Sequence, residues 1–191
     1  MKRYIFAYLL TLVVLCGGVN AQPREGFPYP IAPSMIGEGR ALAEWYALHF
    51  WDRYDFSEAK QRYAPEENKQ GFLAFINGLY ATSPEYSEKA IGEMMRRAAV
   101  SEDGYWYFLE MAEVVLYDPS SPMRNDLLWE MFLRCAVGKS SPLDEDSKVR
   151  YRSMLKLVSR NQQGSVATDF VYTLADGSQG RLHNIKSPFT L

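Results

Sequence analysis

The sequence predicts a mainly α-helical protein, an antiparallel bundle of about six helices that ends in a C-terminal β-hairpin. Between residues 37 and 161, apolar side chains recur three and four positions apart in six separate stretches, which is the period of a helix with one buried face. The connectors between these stretches are short, which favours antiparallel neighbours around one core. From residue 162 onward the pattern changes to short runs of β-branched and aromatic residues around a turn.

The helix starts are marked by proline and serine. Proline suits the first turn of a helix, and serine caps the exposed N–H groups there. We therefore expect the second helix to begin near Pro65, the third at Ser83–Pro84, the fifth at Ser121–Pro122 and the sixth near Ser141–Pro142. The expected apolar faces, in chain order, are Leu42, Trp45, Tyr46, His49 and Phe50; Phe72, Phe75, Ile76, Leu79 and Tyr80; Ile91, Met94, Met95 and Ala98; Tyr105, Phe108, Leu109, Ala112, Val115 and Leu116; Leu128, Met131, Phe132 and Cys135; and Tyr151, Met154, Leu155 and Val158.

The tail predicts two strands, 169–174 and 179–185, joined by the turn residues 175–178. An isolated hairpin is only marginally stable in water. The alternating apolar residues Phe170, Tyr172 and Leu174 also need a surface to pack against. We therefore expect the hairpin to pair with something else.

The first residues have the layout of a secretory signal peptide. Lys2 and Arg3 precede the apolar run 5–15, and small side chains at residues 19–21 suit cleavage before Gln22. The run is shorter than the roughly 20 residues that span a bilayer, so we do not expect a transmembrane protein after cleavage. The less favoured alternative is a lipoprotein anchored through Cys16.

We divide the chain into a signal peptide (1–21), a proline-rich extended arm (22–36), a helical domain (37–161) and the β-hairpin (162–191). We expect export, with the periplasm as the destination. Cleavage removes two positive charges and no acidic residue, which leaves 19 basic against 23 acidic side chains. Nucleic-acid binding needs a clustered positive surface, and the sequence has none.

Metal and redox chemistry find no support in the sequence. After cleavage only Cys135 remains, so neither an internal disulfide nor a C-x-x-C motif is possible. We expect Cys135 to be a buried apolar side chain and His49 to be a core residue. His183 has no neighbouring ligand spacing. We predict no metal, no cofactor and no enzymatic activity, because the serines and the paired acids also lack the spacing of catalytic sites.

Two segments are candidates for an interaction patch. Trp51, Arg53, Tyr54 and Phe56 combine the residue types that dominate binding hot spots. The alternative, which we favour, is a helix end folded onto the core.

The second segment holds Tyr117, Asp118 and Arg124, between the fourth and fifth helices. A structural explanation is favoured here too. Asp118 would accept backbone N–H groups, Ser121 would cap the fifth helix and Arg124 would pair with Asp118.

Three segments carry a resemblance to a known family. Residues 49–56 read HFWDRYDF, residues 116–125 read LYDPSSPMRN, and residues 164–177 read GSVATDFVYTLADG. The first two resemble a bacterial exported domain of unknown function, the type numbered 5106, that precedes thioredoxin-like domains. The third resembles the opening of the thioredoxin-like domain itself. The chain stops before any C-x-x-C, so the resemblance implies a truncated or stand-alone version.

The leading hypothesis is a non-catalytic accessory module that orients or dimerises a thioredoxin-like partner, or docks client proteins. Self-association through the hairpin is a second possible mode of pairing. The first alternative is the N-terminal part of a thiol–disulfide oxidoreductase whose catalytic domain is absent from this chain. The second alternative is a helical peptide- or glycan-binding protein with a groove lined by Trp45, Trp51, Trp106 or Trp129.

Overall fold

The fold is mainly α-helical, as the sequence predicted. A computed structural model describes residues 26–57, 65–160 and 166–186. The predicted signal peptide, its cleavage site and Cys16 lie outside these residues. The described helices are α1 (Arg40–His49), α2 (Pro65–Leu79), α3 (Pro84–Ala98), α4 (Glu102–Leu116), α5 (Asp126–Val137) and α6 (Glu145–Val158). They are followed by β1 (Val171–Thr173), β2 (Gln179–Arg181) and a 3-10 turn (Leu182–Asn184).

Side-chain caps mark the starts of α3, α4, α5 and α6. The Ser83 hydroxyl accepts the Tyr86 N–H, and Pro84 is the first residue of α3, as predicted. Two predicted starts were wrong by a few residues. The cap of α5 is Asn125 rather than Ser121, and the cap of α6 is Asp144 rather than Ser141. The side-chain oxygens of Asn125 and Asp144 accept the N–H groups of Leu128 and Ser147, at 2.9 and 2.7 Å.

Helix α5 lies at the centre of the helical body, since it packs against α3, α4 and α6. Its residues from Leu128 to Leu133 are all buried, including the carboxylate-bearing Glu130. The Arg134 side chain donates a 2.7 Å hydrogen bond to Glu130, which compensates this charge. Helix α1 packs against α2 and α3 and lies at the edge of the body.

The predicted apolar face of the first helix is confirmed only in part, since Phe50 is buried while Leu42, Trp45, Tyr46 and His49 are partly exposed. Ala47 is the buried residue within α1, and Phe50 is buried just after it. His49 was expected to be a core side chain, but it is 43% exposed. The reason is the peripheral position of α1, which turns the side of Ala47 and Phe50 toward α2 and α3 and leaves His49 at the surface.

The N-terminal arm contributes to the core. Phe27 is buried, and its ring lies 5.4 and 5.5 Å from the rings of Trp51 and Phe50. It rests against Gly71 in α2, where any side chain would overlap the Phe27 ring. The glycine thus creates the space that the arm fills.

The hairpin forms, with shorter strands than predicted. Strands β1 and β2 are antiparallel, and Tyr172 pairs with Gly180. The turn places Gly177 at a φ of 85°, which glycine adopts without strain. The second strand ends at Arg181 rather than at residue 185, because the Asp169 carboxylate accepts the His183 N–H and bends the chain into the 3-10 turn.

Candidate interaction site

The aromatic residues of the first candidate patch belong to the core. Trp51 is 3% exposed, and Tyr54 and Phe56 are also buried. The Trp51 ring lies about 5 Å from several other rings, and the Tyr54 hydroxyl donates a 2.7 Å hydrogen bond to Asn68. The aromatic cluster around Trp51 contains Phe27, Phe50, Tyr54, Phe56, Phe75 and Phe108.

Arg53 is the exposed member of this segment. Its guanidinium donates a hydrogen bond to the Tyr29 carbonyl oxygen at 3.1 Å, so it fastens the N-terminal arm to the end of α1. The first segment therefore holds the arm and the core together, and offers no aromatic surface to a partner.

A charged network that the sequence did not reveal joins the end of α1 to α3. Arg97 donates to the Trp51 carbonyl oxygen at 3.0 Å and to the Asp52 carboxylate at 2.8 Å. It also pairs with Glu93 at 2.7 Å, while Asp52 bonds the His49 ring at 2.7 Å. Trp51 and Asp52 lie 46 and 45 residues from Arg97 in the chain, so no local pattern pointed to them.

The network shifts the acidity of its carboxylates. Hydrogen bonds from Arg96 and Arg97 lower the pKa of Glu93 to about 2. Burial alone would raise the pKa of Asp52, but the hydrogen bonds from His49 and Arg97 outweigh it and lower the pKa. Both acids therefore stay ionised at neutral pH, and the network ties the two helices together.

The second candidate segment forms an ordered loop between α4 and α5. The Asp118 carboxylate accepts the Ser120 N–H and hydroxyl, each at 2.7 Å, as predicted for an aspartate in a turn. These bonds lower the pKa of Asp118. The expected ion pair between Arg124 and Asp118 was wrong, because Arg124 pairs with the nearer Asp126 at 3.3 Å and lies over the Tyr117 ring.

Further hydrogen bonds fix the loop to the helices. The Ser121 hydroxyl, which was expected to cap α5, donates to the Val115 carbonyl oxygen instead. The Asn125 N–H donates to the Leu116 carbonyl oxygen at 2.9 Å. The Tyr80 hydroxyl donates to the Met123 carbonyl oxygen, also at 2.9 Å.

Tyr117 and Asp118 line an open cavity of about 410 Å³ on the outer side of α4. A second cavity of about 320 Å³ lies between α2 and α4. Both cavities include Glu110 and Val114, so they form one continuous surface, which we call the α2–α4 groove. Its lining residues are Pro65, Lys69, Phe72, Tyr107, Glu110, Met111, Glu113, Val114, Val115, Tyr117, Asp118 and Pro119.

Cys135 was expected to be a buried side chain, but the structure leaves it only partly buried. Burial raises the pKa of the Cys135 thiol to about 11, with a further contribution from the charge of Glu88. A thiol with that pKa is a poor nucleophile at neutral pH. Among residues 26–57, 65–160 and 166–186, no group of three or more His, Cys, Asp or Glu side chains could hold a metal ion.

With the geometry established, comparison with known proteins gives the family. A family model described as "Domain of unknown function (DUF5106)" matches residues 14–161. The chain belongs to this family. The match confirms the resemblance found in segments 49–56 and 116–125. A search of curated proteins finds no match to this DUF5106 chain.

A solved structure shares the fold of the DUF5106 chain. It is described as a thioredoxin-like protein from Bacteroides caccae ATCC 43185, and it is 30% identical with a TM-score of 0.77. The similarity covers 85% of this chain and 58% of the chain of that protein. The DUF5106 chain thus spans a little over half of its relative. No helix within the described ranges has both the length and the apolar character needed to cross a membrane.

Proposed function

We propose that this DUF5106 chain is a non-catalytic accessory domain that holds a thioredoxin-like domain through its C-terminal hairpin. The observation that carries the proposal is the exposed apolar surface of the hairpin. Phe170 is 55% exposed and Leu174 is 50% exposed, and these two apolar side chains directly precede and follow β1. Neighbouring Val166 and Ile185 are exposed as well. An apolar surface of this kind on a two-stranded sheet favours a covering partner.

Similarity to a thioredoxin-like protein supports the proposal that the partner is a thioredoxin-like domain. Its structure matches 85% of this chain, and a further part of its own chain lies beyond the match. Residues 164–177 also resemble the opening of a thioredoxin-like domain. A hairpin with this sequence and an uncovered apolar face fits a docking element for such a domain. We further propose that the chain is exported to the periplasm through the segment 1–21.

Photo-crosslinking tests this proposal. Phe170 is replaced by photoreactive benzoylphenylalanine in the full chain, in the cells that produce it, and crosslinked products are identified by mass spectrometry. We expect a protein or domain with a thioredoxin-like C-x-x-C motif. The matched control places the same group at Val149 in α6, which is 57% exposed and lies outside the hairpin. The same products at both positions, or none at Phe170, would contradict the proposal.

The proposal that the chain is not an oxidoreductase is tested separately, with an insulin-reduction assay. The purified chain should not reduce insulin disulfides in the presence of dithiothreitol beyond the rate of the reagent alone. Cys135 is the cysteine of the described residues, so Cys135→Ser is the control variant. A rate enhancement that disappears in Cys135→Ser would show that the chain is an oxidoreductase.

A second candidate function is supported by the same relative. The helical domain and hairpin would form the N-terminal part of a thiol–disulfide oxidoreductase, in one polypeptide with its catalytic domain. The 58% coverage of the thioredoxin-like relative favours this candidate. The DNA immediately downstream discriminates between the two, because an apolar strand followed by C-x-x-C in frame would favour the oxidoreductase.

The tryptophan-lined groove of the remaining alternative finds no support among the described cavities. Trp51 and Trp129 are buried in the core. Neither the α2–α4 groove nor the two cavities beside α3 has a tryptophan among its described lining residues. Glycan binding through such a groove is therefore not proposed.

A further inference from the structure

The α2–α4 groove has two chemically different ends. Helix α4 runs along it from Tyr107 to Tyr117, a length of about 15 Å at 1.5 Å per residue. An extended chain covers that distance with about five residues. The groove therefore has the length of a short peptide segment.

One end of the groove is apolar. Phe72 of α2 faces Tyr107, Met111 and Val115 of α4 across a cavity of about 320 Å³. Where the two cavities meet, Val114 is 64% exposed, although its β-branched side chain is wholly apolar. Covering Val114 and filling the cavity with an apolar side chain would remove hydrocarbon surface from water.

The other end of the groove is acidic. Glu110, Glu113 and Asp118 line the cavity of about 410 Å³, and Arg150 pairs with Glu113. The C-terminus of α4 adds the partial negative charge of its helix dipole at the same place. Among the described lining residues, Lys69 is the basic one, and it lies in the apolar cavity. A basic side chain is therefore favoured beside Asp118.

We propose that the α2–α4 groove binds an extended peptide segment of a partner protein, with an apolar side chain between α2 and α4 and a lysine or arginine beside Asp118. Asp118 follows the last residue of α4 by two positions, and at about 1.5 Å per residue it lies about 10 Å from Met111, or about three residues of extended chain. The apolar and basic side chains of the segment are thus about three positions apart. This site does not depend on the hairpin or on a thioredoxin-like partner.

The test uses the full chain and a designed probe, the fluorescein-labelled peptide Lys-Ser-Ser-Phe-Ser-Ser-Lys. Phenylalanine is three positions from a lysine in both chain directions, so the probe does not presuppose an orientation. We expect saturable binding by fluorescence anisotropy, with a Kd of about 100 µM or below. Binding should weaken as salt is added, because the acidic end of the groove is exposed. Two control peptides replace both lysines by glutamate, or phenylalanine by alanine, and both should bind at least about tenfold more weakly.

Variants locate the binding site. Val114→Lys puts a positive charge where the two cavities meet and should weaken binding of the probe about tenfold. Val149→Lys is the matched control, because Val149 is similarly exposed but lies on α6, and it should leave the Kd within about twofold. Circular dichroism shows whether each variant keeps its helix content.

Three results would overturn the proposal. One is the absence of saturable binding up to about 1 mM probe. Another is equal binding of the glutamate peptide, which would remove the role of the acidic end. The third is an equal loss of affinity in Val114→Lys and Val149→Lys. Sedimentation of the chain alone adds a check, since a dimer that the Val114→Lys variant dissociates would show that a second copy occupies the groove instead.

Discussion

Replacing Gly71 by alanine should destabilise the protein, although alanine is the better helix former. Gly71 lies in the middle of α2, and elsewhere the exchange would favour the helix by about 1 kcal/mol. Here an added Cβ would overlap the ring of Phe27, which is buried in the aromatic cluster. Removing a packed phenylalanine from a core costs about 3–5 kcal/mol. The difference predicts a net loss of about 2–4 kcal/mol for Gly71→Ala.

The matched control is Gly92→Ala in α3. Gly92 also lies mid-helix, and a Cβ there would have no neighbour within 4 Å. This variant should be as stable as the parent or gain up to about 1 kcal/mol. Urea unfolding followed by tryptophan fluorescence measures both variants, and Trp51 reports on the arm because its ring lies 5.4 Å from that of Phe27.

A double variant separates the contact from any general intolerance of α2. In the Phe27→Ala background the obstructing ring is gone, so Gly71→Ala should become neutral or stabilising by about 1 kcal/mol. Equal stability of Gly71→Ala and Gly92→Ala in the parent would refute the packing of the arm against α2. So would an undiminished cost of Gly71→Ala in the Phe27→Ala background.

Three further predictions concern other parts of the molecule. Cys135 should react slowly with a thiol reagent at pH 8, where a pKa of about 11 leaves about 0.1% thiolate, and quickly in urea. Rapid labelling of the native chain would contradict the raised pKa and limited access of this partly buried thiol. The pKa of Glu93 is depressed from 4.5 to about 2, so its stabilising bonds to Arg96 and Arg97 are present above pH 4.5 and are lost as the pH falls toward 2. Urea unfolding should show a loss of no more than about 1 kcal/mol from these solvent-screened ion pairs, and this loss should be absent in Glu93→Gln. Amides of residues 169–174 should exchange with deuterium well before those of residues 105–116, because the hairpin is exposed; equal protection in a dilute monomer would make the hairpin an integral part of the fold.

The sequence predicted what depends on local chemistry. Ser83–Pro84 starts α3 because the serine cap and the first turn are satisfied within four residues, and Pro65 is the first residue of α2, where proline is favoured. The start of α5 was misplaced because two capping residues, Ser121 and Asn125, stand close together in the chain. The choice depends on the Val115 carbonyl oxygen, which takes the Ser121 hydroxyl and leaves Asn125 to cap the helix. The contact between Ser121 and the Val115 carbonyl oxygen depends on how the loop folds against the end of α4, which the sequence pattern does not give.

The features of the site that could not be predicted from the sequence are those that form between segments far apart in the chain. Helical spacing gave α1 five candidate apolar positions, but the contacts with α2 and α3 decide which way α1 faces, and His49 ends at the surface. Arg97 looks like an ordinary exposed helix residue until Trp51 and Asp52 are brought beside it. The α2–α4 groove is likewise invisible in sequence, since it forms only where two helices and a loop meet.

The loop between α4 and α5 has a thermodynamic consequence. Fixing a backbone residue costs about 1–2 kcal/mol of conformational entropy. When a loop becomes ordered only on binding, this entropy loss reduces the free energy of binding. In this protein the loop is already ordered in the folded chain, by hydrogen bonds from Ser120 to Asp118, from Asn125 to Leu116 and from Tyr80 to Met123. The loss of its conformational entropy therefore belongs to folding and not to binding. A ligand that binds beside Asp118 contacts a carboxylate that is already positioned, so little conformational entropy of this loop is lost on binding. Association at this end of the molecule should therefore proceed in one kinetic step, without a slow ordering phase.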